Sequence, residues 1–273
     1  MTMQLHLQQV PARNGRLWIR HGFRVFQRQP LAFSGLFGLA LLASMLLGAL
    51  PMIGAVLGLA AIPMLSLGFM LATHLTLQRK SPSVDVFIAP FRLTRERRNH
   101  QLVLCTTFAL AMLLVLVLAD QIDGEVTREL MALMKRDANT DAVAAVAADP
   151  RIVWGFLVRA AGMAVLSVPY WHAPALVHWG GQSAAQALFS STLALWRNKG
   201  AFALNALLWG ALLLGSSGLI SLVFGSFGLL QVAPLVWFAC FLMLATVFYT
   251  SLYFSFVDCF MFGAPNDLLA DKA

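Results

Sequence analysis

Hydrophobic residues in this chain come in long unbroken blocks, not in the period-2 alternation of strands or the single stripes of soluble helices. Between Arg28 and Arg79 fifty residues pass without a charge. One helix needs about 20 residues to cross roughly 30 Å of hydrocarbon, so this block holds two helices. Pro51 and Gly54 mark the turn between them. The pattern predicts spans over about 31–50 and 52–77, the second kinked or tilted at Pro63. A third span is expected over about 102–119 and a fourth over about 152–178. A last charge-free stretch of 58 residues, Gly200 to Val257, is interrupted by Gly215, Ser216, Ser217, Gly218, Gly225, Ser226 and Gly228. It divides into spans over about 200–223 and 229–257. The expectation is an all-α membrane protein with six transmembrane helices, a single membrane domain over 1–273.

Three shorter segments have a different pattern. In the 12–29 segment Arg13, Arg16, Arg20, Arg24 and Arg28 recur at steps of three or four, which places all five on one helix face. Trp18, Ile19, Phe23, Val25 and Phe26 fill much of the remainder. Such a helix suits a headgroup interface and anionic lipid; the same residues also suit a helix packed on the ends of the bundle. A second amphipathic helix is expected over 81–98, capped by Ser81 with Pro82 in its first turn, with Val84, Phe87, Ile88 and Phe91 ahead of Arg92, Arg95, Arg97 and Arg98. A third starts at Ser183 and carries an apolar stripe of Ala185, Leu188, Phe189, Thr192, Leu193 and Trp196 before Arg197 and Lys199. The chain thus divides into three hairpin-like units, each a cytoplasmic amphipathic helix followed by a span out and a span back.

Charge orients this arrangement. Net charge is +7, with 19 basic and 12 acidic residues, and 14 of the basic ones lie in the N-terminal segment, the 78–101 loop, the 180–199 segment and the tail. The 120–151 segment holds four basic residues against seven acids, so it is read as an external loop, its ANTDAVAAVAADP part a mobile linker. Within it, Glu125 to Arg136 is expected to form a short helix of its own. By the positive-inside rule both termini are cytoplasmic. No short apolar run with a small-residue cleavage site precedes residue 31, so the first span is expected to serve as the signal anchor. Hydrophobic residues make up 59% of the chain and charged ones 11%, against roughly 25% charged in a soluble domain. Disorder, coiled coil and a secreted disulfide scaffold are excluded by the same balance.

GRLWIRHGFRVFQRQPLAFSGL near the start and APALVHWGGQSAAQALFSSTLALWRNKGAF later on resemble segments of uncharacterised multi-pass inner-membrane proteins of proteobacteria, one group of which is known only by a locus tag. The shared features are a span ending in Pro174, Ala175, Leu176 and Val177, then a helix with Ala187, Leu188, Ser191 and Asn198. The resemblance implies a six-helix bundle in the bacterial inner membrane and no particular reaction.

Candidate chemistry concentrates at the end of the fourth span, in Ser167, Tyr170, Trp171, His172, His178 and Trp179. Intramembrane histidine is a functional-site hypothesis by default. His172 and His178 are six apart, however, on opposed helix faces, unlike the i, i+4 pair of a helical metal site. Two readings stand for His74, His172, His178 and Tyr170: an aromatic belt with hydrogen-bonded histidines, or a ligand or proton site. Arg159 is expected to snorkel outward and Asp258 to sit at the cytoplasmic end of the last span. Cys105, Cys240 and Cys259 lack paired spacing and read as core residues. Nucleophile, metal and phosphate motifs are absent from the sequence, and no cofactor is expected.

These features point to a non-enzymatic membrane or partner-binding component whose amphipathic helices contact anionic lipid, together with a membrane-protein partner or a second copy, and not nucleic acid. The alternative is an uncoupled transporter or permease for an uncharged or amphiphilic small molecule. A cavity lined by His74, His172 and His178 would favour that alternative, and a dry packed bundle would count against it.

Overall fold

The computed structural model describes residues 6–51, 53–136 and 139–260, and among them every regular element is helical. Chain order is α1 (Asn14–Arg28), α2 (Pro30–Gly48), α3 (Ile53–Leu77), α4 (Asp85–Ile88), α5 (Arg95–Lys135), α6 (Thr140–Ala147), α7 (Pro150–Tyr170), α8 (Ala173–Gly180), α9 (Ala184–Arg197), α10 (Lys199–Ser226) and α11 (Ala233–Phe260). Six candidate spans result: α2, α3, α5, α7 with α8, α10, and α11 with the short turn before it. Each is apolar and long enough to cross a bilayer.

α11 is the central helix. It packs against α1, α3, α10 and α2, while α5 packs along α7 and α3. The core lies toward one end of the bundle, where α3 from Pro63 to Thr76, α11 from Leu244 to Phe260, and most of α8 are buried. This end also carries the basic segments, and the backbone amide of Gln8 donates to the Cys259 carbonyl there at 2.8 Å. Toward the opposite end the helices expose leucine and phenylalanine side chains, among them Leu46, Leu214, Leu222, Phe227 and Leu235. Apolar surface of that extent needs a hydrocarbon medium.

α1 lies against α10 and α11. It buries Gly15, Trp18, Ile19, Gly22, Val25 and Phe26, a spacing of three and four that defines one face. Gly22 sits so near α11 that a Cβ there would come within 2.9 Å of the Ser251 Cβ. The apolar face expected to enter a headgroup layer is therefore spent on protein packing, while Arg13, Arg16, Arg20 and Arg28 stay exposed and Arg24 half-exposed on the other face.

The 81–98 segment departs from expectation. Only Asp85–Ile88 and a 3₁₀ turn over Ala89–Arg92 form there. Thr94 then caps α5 by accepting from the Arg97 amide, so Arg95, Arg97 and Arg98 belong to the first turns of the third span. The third span also runs on where a loop was expected. α5 is 41 residues long, roughly 60 Å at 1.5 Å per residue, about twice the hydrocarbon thickness. Nothing between Ala119 and Lys135 stops a helix except Gly124, which helices tolerate at a modest cost. The supposed linker holds α6, started by Asn139, whose side chain accepts from the Asp141 amide.

Candidate functional site

The fourth span, α7 with α8, is broken inside the range that the sequence pattern predicts for it. α7 stops at Tyr170, and its 21 residues already measure about 31 Å, a full crossing. Pro169 and Pro174 remove two amide donors, which weakens helical continuity. At the break the Ser191 hydroxyl, on α9, accepts the His172 amide at 3.1 Å and donates to the Val168 carbonyl at 3.0 Å. In an unbroken helix those two backbone groups would bond each other. A side-chain hydroxyl inserted there is a recognised cause of a kink. Gln101 of α5 donates to the Pro174 carbonyl at 2.8 Å, and Arg97 to the His178 carbonyl at 3.0 Å. Gly181 closes α8 at φ 63°, a conformation that suits glycine.

His172 is fully buried among the rings of Phe202, Phe256 and Phe260. Its Nε2 lies 3.0 Å from the Ser255 hydroxyl. That hydroxyl already donates to the Leu252 carbonyl and accepts from the Trp171 indole, so His172 must donate from Nε2. Its unprotonated Nδ1 has no hydrogen-bond partner among the described residues. His74 stands on the far side of Trp179, whose ring stacks on Phe256 at 5.2 Å. Gln78 donates to His74 Nε2 at 2.9 Å, which leaves the Nδ1 proton for the Tyr253 hydroxyl at 2.8 Å. His178 packs edge-on against Trp179. Tyr170 points elsewhere: its hydroxyl donates to Thr107 at 2.8 Å and its ring meets Phe108. The four residues singled out from sequence thus do not converge. Rings lie between His74 and His172, Trp179 against His74 and Phe256 against His172, and Tyr170 lines a cleft on the α7 side.

Asp258 also has a structural task. Its Oδ2 accepts from the Trp18 indole at 2.7 Å and from the Asn14 amide at 2.8 Å, fixing α1 to the end of α11. Thr250 donates to the Gly22 carbonyl at 3.3 Å and Asn205 to the Gly15 carbonyl at 3.0 Å. Asn198, at the α9–α10 junction, accepts the Val10 amide at 2.8 Å and donates to the Gln8 carbonyl at 3.0 Å. His21 packs against Phe254; burial, reinforced by the Arg24 guanidinium, holds its pKa below the ordinary imidazole value.

α9 buries Ala184, Ala187, Ser191 and Ala194 and leaves Phe189 and Trp196 69% and 72% exposed. The larger apolar side chains of the stripe, Phe189, Leu193 and Trp196, face outward, because the small side chains allow the closer approach to α7 and α8. Lys199 lies over the Trp196 ring at 5.5 Å. Arg159 is not free either. It forms a two-pronged ion pair with buried Asp123, Nη2 to Oδ1 at 2.9 Å.

A probable inner membrane protein of Burkholderia thailandensis is 33% identical to this chain over 264 residues, covering 96% of each. The chain belongs to that family of inner-membrane proteins. No family model matches it, and no solved structure does. The family assignment and the six apolar helices together make this an integral inner-membrane protein. Two polar residues of the motif that first suggested the family, Ser191 and Asn198, prove to bind backbone, one at the helix break and the other at the N-terminal segment.

Proposed function

We propose that this inner-membrane protein is a non-enzymatic component that holds anionic lipid headgroups along its basic face, and that this face and both termini are cytoplasmic. The observation that carries the reading is the outer face of α1. Arg13, Arg16, Arg20, Arg24 and Arg28 occur there, and none pairs with an acid among the described residues. The helix beneath them is fixed to α10 and α11 by its other face, so the arginines form a rigid row. Basic residues near an anionic surface contribute about 1 kcal/mol each. α9 adds Phe189, Leu193 and Trp196 beside Arg197 and Lys199, the aromatic and basic pairing of an interfacial helix. The basic ends of the helices bring the positive-inside rule to bear on orientation. A membrane-protein partner or a second copy of the chain shares the remaining exposed surface.

The test is native mass spectrometry of the purified protein in nanodiscs of phosphatidylglycerol and phosphatidylcholine, wild type against Arg16→Gln/Arg20→Gln/Arg24→Gln. Loss of roughly 3 kcal/mol, about a hundredfold, in preference for phosphatidylglycerol is expected at low salt. An unchanged preference overturns the reading. Solute movement into vesicles that single substitutions inside the bundle abolish would overturn the non-enzymatic, non-transporting part. Alkaline phosphatase fused after residue 260 should be inactive in cells, and activity there would reverse the orientation.

A further inference from the structure

Between α7 on one side and α3 and α11 on the other lies a cleft of about 310 Å³, lined by Pro63, Ser66, Ser167, Tyr170, Trp171 and Tyr249 with other apolar side chains. Its walls are fixed. α7 is drawn onto α5 through Gly155 and Gly162, seven residues apart and so on one face. A Cβ at Gly155 would collide with the Asp123 carboxylate, and one at Gly162 with Val115. The opposite wall is an aromatic stack, Tyr249 on Phe69 at 5.3 Å with Phe37 at 6.2 Å from Tyr249. Each of the facing helices carries an internal proline, Pro63 in α3 and Pro169 in the last turn of α7, which weakens helical continuity there. α7 cannot swing over to close the gap without giving up the glycine contacts and the Asp123–Arg159 pair.

Among the described residues, the Tyr249 hydroxyl is the one polar side-chain group of the lining without a hydrogen-bond partner. Ser66 donates to the Pro63 carbonyl and Ser167 to the Ala164 carbonyl, each within its own helix. Tyr170 is engaged by Thr107 and the Trp171 indole by Ser255. Water therefore has few partners here, and an empty space would forfeit dispersion contacts on every wall. What the surrounding medium offers at this depth is hydrocarbon.

We propose that this cleft is a binding site for one acyl chain of a membrane phospholipid, held between the α5–α7 pair and the α3–α11 pair. Nothing in the claim depends on the arginine row, which concerns headgroups.

The experiment uses the full-length protein in vesicles of phosphatidylethanolamine and phosphatidylglycerol, doped with phosphatidylcholine carrying a mid-chain diazirine. After photolysis, labelling is mapped by peptide mass spectrometry. Peptides holding Ser66, Met163 and Tyr170 should be labelled about tenfold above the exposed α10 residues Leu207 and Leu214. Ser167→Phe, which fills the cleft, should lower that labelling to the α10 level and leave α10 labelling unchanged. Ser66→Phe provides the same test from the other wall if Ser167→Phe does not fold. Equal labelling of cleft and α10 in the wild type overturns the proposal, as does low cleft labelling from an occluding partner helix. Labelling that persists in a folded, cleft-filled variant overturns it too.

Discussion

The hydroxyl of Ser191 accepts the amide of His172 at 3.1 Å and returns its own proton to the carbonyl of Val168 at 3.0 Å. One side chain from a neighbouring helix thereby replaces a backbone hydrogen bond and interrupts the fourth span between α7 and α8. Ser191→Ala leaves both backbone groups buried without that partner, at about 1–3 kcal/mol for a stranded group. The expected outcome is a melting temperature several degrees lower in detergent, with Ser191→Thr recovering most of the loss. If Ser191→Ala melts like the wild type, the bridging hydroxyl contributes nothing to holding the break between α7 and α8.

Asp258 anchors α1 through Trp18 and Asn14. Hydrogen bonds to a charged group contribute about 1.5–3 kcal/mol each, so Asp258→Ala should release α1 before the bundle unfolds. Trypsin then cuts faster at Arg16 and Arg20, while the spans remain protected. Asp258→Asn keeps an acceptor oxygen and should show a smaller increase. Equal cutting in Asp258→Ala and wild type would mean that the buried face of α1 and the Thr250 and Asn205 bonds hold the helix without Asp258.

Six helices were legible because hydrocarbon thickness sets a length that composition alone can reveal. What the sequence could not show was which neighbour satisfies each polar group. Arg159 looked like a snorkelling residue because its partner Asp123 is 36 positions away and counted as part of a loop. The apolar stripe of α9 was visible, but periodicity marks a face without saying what it meets, and Ala184, Ala187 and Ala194 take the protein side by being small. The histidines drew attention as rare polar residues in apolar sequence. Trp179 and Phe256 lie between His74 and His172, and which rings meet there depends on the packing of α3, α8 and α11, which no local pattern announces. The Ser191 and Asn198 letters were visible as a motif, and their task was not, because both bind backbone.

His21 gives α1 a pH dependence. Its folded pKa is lowered, chiefly by burial and then by Arg24, with Asp258 opposing and Arg20 reinforcing. A base whose folded value lies below the unfolded one, about 6.5, takes up protons more readily when released. Stability is therefore fully present above about pH 6.5 and falls as pH drops through that value to the lowered one. Thermal stability in detergent should decline from pH 7 to pH 5, and His21→Gln should flatten part of that decline. An identical slope in His21→Gln would remove His21 as a cause.

The Asp123–Arg159 pair sets a test of how α7 is held. Asp123 is 3% exposed and its carboxylate occupies the space over Gly155. Removing the arginine alone strands a buried charge, which typically costs about 3–5 kcal/mol, whereas replacing both partners with uncharged groups is often close to neutral. Arg159→Met should thus destabilise the protein far more than Asp123→Asn/Arg159→Met, measured by thermal or denaturant unfolding in detergent. Gly155→Ala should be costly for a different reason, because the added methyl must displace the carboxylate. In the double variant that methyl meets an uncharged side chain free to move, so Gly155→Ala should cost less there than in the wild type. Equal costs in the two backgrounds would show that α5 and α7 are held by shape alone and that the ion pair adds no constraint on where α7 stands.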